Sequence, residues 1–79
     1  MVSPLNVDYI VDTALARWRA GRSAEQMRGV DGITVTVAPV QVRIAPQPQG
    51  ANLPVVVIAT VLAVGGREIE SRSVTLIDP

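Results

Sequence analysis

Glu68 and Glu70 stand two residues apart in a run that alternates like a strand, which places both carboxyl groups on one of its faces. Paired carboxylates are the machinery of glycoside hydrolysis. Such sites also need a cleft lined with aromatic rings, and this chain has no Phe, one Trp and one Tyr. Charged strand positions commonly guard a sheet edge instead, and Arg72 follows close enough to pair with Glu70. Edge protection and charge pairing are the preferred reading. Asp8 and Asp12 lie one helical turn apart and offer the oxygen ligands a hard cation takes, but acids early in a helix are explained by its dipole alone. Ser3, Ser23, Ser71 and Ser73 have no activating partner, because the chain contains no His, Cys or Lys. That excludes Ser-His-Asp, Cys-His and Ser-Lys nucleophiles, thiolate zinc sites and disulfides. Gly65-Gly66 leads from one strand into another and so is not a phosphate-binding loop. The expectation is a non-enzymatic protein with no cofactor and no metal.

The remaining chemistry is basic. Arg17, Arg19, Arg22 and Arg28 are the only concentration of positive charge, and Glu25 is the only acid among them. Phosphate contact uses such charge, which keeps a small regulatory or nucleic-acid-binding module as the alternative function. Against it, the net charge is zero, stacking aromatics are nearly absent, and Arg17 and Arg19 point about 160° apart on a helix. Arginines at a helix C-terminus are also what the dipole favours. Nucleic acid is therefore disfavoured as a partner.

These residues must be placed by very few elements, since 79 residues make one domain, spanning 1–79. Val7, Ile10, Val11, Ala14, Leu15 and Trp18 fall on an arc of roughly 140° at helical spacing. The spacing predicts an amphipathic helix over about 4–20, starting at Ser3-Pro4 or, alternatively, at Asn6, with Gly21 as a C-cap. Trp18 is its core anchor, and Tyr9 lies on the far side, exposed. Ser23 and Gln26 fit a capping box, predicting a short helical turn over about 24–28. Val35 and Val37 alternate with Thr; the phase slips by one at Ala38-Pro39 before Val40, Val42 and Ile44 resume it. A β-bulge in one continuous strand accounts for the slip and is preferred over two strands joined by a tight turn. The Pro-rich run from Ala45 to Pro54 is a loop, expected to project and contact a neighbour through Gln47 and Gln49. Residues 55–64 and 67–77 then form a long hairpin about a two-residue turn at Gly65-Gly66. The fold class is α+β, with a three-stranded antiparallel sheet ending in that hairpin (about 55–77).

The hairpin register sets Val57 opposite Val74 and Leu62 opposite Ile69, so the 55–64 strand is apolar on both faces. Strands of that kind belong where both faces of a sheet are covered. A helix of about 16 residues spans roughly 24 Å, against roughly 33 Å for a ten-residue strand, so one face at best is covered. A sheet curled on itself would be one remedy; another chain is the simpler one. The expected interface is Val55, Val57, Val61, Val74 and Leu76, with Gln47, Gln49 and Tyr9 as further contacts. The expected function is a small structural or assembly subunit packing with copies of itself or larger partners, for which an accessory or connector role in a phage virion is a fitting setting. The apolar run of residues 53–64 is too short to span a bilayer, which takes about 20 residues. With no signal peptide in view, a cytoplasmic or virion location is expected and no membrane partner.

Overall fold

The structure, a computed structural model, describes residues 5–47 and 50–78. Helix α1 spans Val7–Arg19 and is followed by a 3₁₀ turn at Glu25–Met27. Four strands follow: β1 Ile33–Val37, β2 Val40–Pro46, β3 Val56–Leu62 and β4 Glu68–Thr75. They form one antiparallel meander in the order β1-β2-β3-β4, which is the α+β class with one strand more than expected.

α1 begins three residues later than the expected start at 4, because Asn6 takes the N-cap: its side chain accepts from the Tyr9 amide at 3.0 Å. Ser3 and Pro4 lie outside the described residues. The helix closes on Ala20 in the left-handed conformation, with Gly21 at φ 79° beyond it. The capping box forms: Ser23 Oγ accepts from the Gln26 amide at 3.2 Å, and Gln26 Oε1 accepts from the Ser23 amide at 2.8 Å.

The fourth strand comes from a correction at Ala38-Pro39. No bulge in a continuous strand occurs there; a two-residue hairpin with a cis Ala38–Pro39 peptide sets Val37 directly opposite Val40. A cis proline at the third position of a type VI turn reverses the chain, and the phase slip is the register of that reversal. The second hairpin also differs from expectation. Ala63 N donates to Arg67 O and Gly66 N to Ala63 O, so the loop holds Val64, Gly65 and Gly66, both glycines at positive φ. The extra loop residue is offset by a β-bulge, which pairs Leu62 with Glu68 and Val61 with Glu70 and leaves Ile69 between. Beyond the bulge the expected register holds, with Val57 opposite Val74.

One face of the sheet is the core. Ile10, Val11, Ala14, Leu15 and Trp18 of α1 pack onto Val37, Val40, Val42, Ile44, Val57, Ala59 and Val61, and Met27, Val55 and Leu76 close one end. Ala14 and Ala59 are fully buried; small side chains at both positions let helix and sheet approach. Trp18 satisfies its indole N–H on the Asp31 carbonyl at 3.2 Å. α1 lies over β1, β2 and β3. No helix among the described residues is long and apolar enough to cross a membrane.

Candidate functional site

The carboxylate pair of the sequence does not survive folding. Glu68 joins Leu62 on the face away from the helix, and Glu70 joins Val61 on the helix face, because the bulge at Ile69 rotates one past the other. Glu68 approaches Arg43 at 3.9 Å, while Glu70 accepts from Arg72 Nε at 2.9 Å. Arg72 also reaches across to Asp8, with Nη1 2.6 Å from Oδ1. The Asp8 and then the Glu70 hydrogen bonds raise the Arg72 pKa above its ordinary value. Asp8 is thus a tether between α1 and β4. Among the described residues no group of three or more acids converges where a metal ion could sit.

The four basic residues turn their donors onto the chain's own carbonyls. Arg17 Nη1 donates to Thr36 O at 2.7 Å, pinning α1 to the outer strand β1. Arg19 donates to Arg22 O, to Ile77 O and to Asp78 Oδ1, the last at 2.7 Å. Arg22 donates to the Trp18 and Arg19 carbonyls that end the helix. Arg28 grips Glu25 and also the carbonyls of Gly50 and Leu53. Its hydrogen bond holds the Glu25 carboxyl below the usual range, and Glu25 raises Arg28 in return. Arg17 and Arg28 point to different elements, while Arg19 and Arg22 lie together beside the tail after β4.

Of the residues expected at an interface, Val55, Val57, Val61 and Leu76 lie in the core beneath the helix, and Val74 is half-buried at its margin. Tyr9 is 61% exposed, on the far side of α1. Gln47 is exposed at the end of β2 with its amide bonded to Val56 O; Gln49 lies outside the described residues. The loop between β2 and β3 is fastened to the 3₁₀ turn by Arg28.

The face left open is the other one. β3 turns Val56, Ile58 and Leu62 to it, each half-buried, with Thr60 between them sharing a hydrogen bond with Ser71 at 3.2 Å. Ile69 is 40% exposed beside them. Thr34 and Thr36 of β1, Gln41, Arg43 and Ala45 of β2, and Ser71, Ser73 and Thr75 of β4 surround this stripe. The alternation of β3 named both of its faces in advance. Which one the helix takes follows from the partner strand, because only the Val57 face is continued by Val74 and Leu76.

A third feature had no local signal in the sequence. Asp78 Oδ1 accepts from Arg19 and from the Ala24 amide at 2.8 Å, clasping the tail after β4 to the end of α1. Beside it an open groove of about 530 Å³ runs between Leu15, Ala16 and Arg19 and the Val74–Ile77 segment, with Ile77 76% exposed. The candidate features are thus an open sheet face, a tail clasp and a groove beside it. Comparison with known protein families, curated proteins and solved structures finds no match to this chain.

Proposed function

We propose that this chain is a non-enzymatic structural subunit that assembles through the sheet face its helix leaves open, packing with copies of itself in preference to larger partners. The observation that carries the reading is β3, whose Val56, Ile58 and Leu62 face away from the only α-helix among the described residues. A side chain of this kind gains about 1.5–3 kcal/mol when fully buried. The stability expected of 79 residues is about 4–12 kcal/mol. Val56, Ile58 and Leu62 are already half-buried, so closing the face adds a part of that burial gain for each. A second copy suits the face because the chain carries no net charge, so copies do not repel. Arg43 and Glu68 both lie on the face, which lets a two-fold related copy set opposite charges together. A virion or a similar multi-chain particle is a setting in which such a subunit serves.

The test uses two neighbouring residues on opposite faces. Val57→Asp buries a charge in the core and is expected to unfold the chain, whereas Ile58→Asp is expected to keep the fold and lower the solution mass. Light scattering with circular dichroism reads both. An Ile58→Asp protein of unchanged mass would overturn the reading. The alternative role, nucleic-acid binding through Arg17, Arg19, Arg22 and Arg28, would draw on guanidiniums that each already donate to at least one backbone carbonyl. Titration with mixed-sequence DNA and RNA at about 50 and 200 mM salt is expected to show no tight binding; affinity that collapses over that range would favour the alternative.

A further inference from the structure

The two outer edges of the sheet are treated differently. In an antiparallel ladder every second residue turns its N–H and C=O away from its neighbour. Leu76 N donates to Val55 O at 2.8 Å, and in the register that sets Val57 opposite Val74 this aims the backbone of Val74, Arg72 and Glu70 at β3. Ser71, Ser73 and Thr75 therefore turn theirs outward, and no partner meets those groups among the described residues. At the other edge β1 is shorter, and its Thr36 carbonyl is occupied by Arg17. β4 contains no Pro to interrupt pairing.

We propose that β4 pairs antiparallel with β4 of a second copy about a two-fold axis at Ser71, joining two four-stranded sheets into one. The inference rests on the reading of the chain as a self-assembling subunit and adds a second contact to it. The charges choose the register. Centring on Ser71 sets Arg72 opposite the partner's Glu70, and Glu70 opposite the partner's Arg72, on the side of the sheet where Arg72 and Glu70 already meet. Centring on Glu70 or on Arg72 opposes like charges, which destabilises a cross-strand pair. Centring on Ser73 sets Arg72 against Val74 and leaves no charge pair. Alternating charge on an edge strand thus rejects most pairings and admits one. The bulge at Ile69 ends the ladder, which keeps the contact short and two-fold.

Sedimentation velocity over a concentration series, with Trp18 fluorescence as a check on folding, tests the pairing. Ser71→Pro removes an outward N–H that β3 does not use, which an edge strand tolerates, together with the hydroxyl bonded to Thr60; with Trp18 fluorescence unchanged it is expected to abolish this contact. Glu70→Arg replaces two attractive pairs by repulsive ones and is expected to weaken association about tenfold or more. The double variant Glu70→Arg with Arg72→Glu restores the opposed charges between copies but gives up the Arg72–Asp8 tether; with Trp18 fluorescence unchanged it is expected to recover association. With both contacts working, the wild type exceeds a dimer, Ser71→Pro and Ile58→Asp each stop at a dimer, and the two combined give a monomer. Association unchanged in Ser71→Pro and Glu70→Arg but reduced in Ile58→Asp would overturn the β4 pairing and leave the sheet-face reading standing. Association lost only in the β4 variants would do the reverse. A wild type that stays monomeric at high concentration would overturn both.

Discussion

Gly32 shows how closely the backbone is packed where β1 begins. A Cβ placed there would collide with the Ile44 carbonyl oxygen and crowd the Pro46 ring at 3.0 Å. Both obstacles belong to β2, whose position is fixed by pairing on two sides, so neither yields readily. Gly32→Ala is expected to destabilise by roughly 1–3 kcal/mol, measured by urea denaturation. The arginines make the complementary point about polar groups, since each of the four between 17 and 28 supports a carbonyl that would otherwise need water. The Glu25–Arg28 pair gives one of these supports a pH dependence. The Glu25 carboxyl is held below its usual range, chiefly by the Arg28 hydrogen bond, so the folded state binds its proton less readily than the unfolded chain. The pair's contribution is complete above the ordinary Glu pKa and is lost as pH falls through the lowered value. Amide exchange at Leu53, which bonds to Gly50 O beside Arg28, is expected to be better protected at neutral pH than below about pH 4 after correction for intrinsic rates. The identity of these residues as a basic run was legible in the sequence; their partners were not, because Thr36, Gly50, Leu53 and Asp78 are brought near only by the fold.

At the scale of elements, the apolar spacing placed the helix and its buried face, whereas the helix start, the two turns and the choice of which sheet face is core were misread. The slip between Val37 and Val40 is the same in sequence whether the chain bulges or reverses, and only the turn chemistry of Ala38-Pro39 separates the two. In the second hairpin the expected two-residue turn was one residue short, yet Val57 still faces Val74, because the bulge at Ile69 compensates the longer loop. The same compensation put Glu68 and Glu70 on opposite faces instead of one, while the expected pairing of Arg72 with Glu70 formed. Gly66 carries the loop at φ 90°, a conformation an L side chain adopts at a cost of about 1–2 kcal/mol. Gly66→Ala is expected to lower stability by that amount without changing the register of Val57 and Val74, which cross-strand NMR contacts would show. Asn6→Ala removes the cap of α1 and is expected to cost about 1 kcal/mol, read from the thermal midpoint.

For the molecule as a whole, one layer of apolar side chains between a single helix and a single sheet supplies the stability, with no disulfide to assist it. Met27 sits fully buried where the 3₁₀ turn meets the sheet. Met27→Ala is expected to remove about 2–5 kcal/mol, a large part of what a chain of this size holds. Trp18, the one indole, reports the loss through its fluorescence. The order of the elements adds a consequence for biosynthesis. α1 precedes every strand that buries it, so as the chain leaves the ribosome its apolar stripe and Trp18 emerge before any surface exists to receive them. The dock is completed strand by strand through β3, and Arg19 finds Asp78 only after β4 has been made. During that interval the 13-residue segment has no surface to hold it helical, and its apolar side chains are open to chaperones and to other nascent chains. Slow translation through β1 and β2 therefore lengthens the time for which the apolar stripe of α1 is without its sheet.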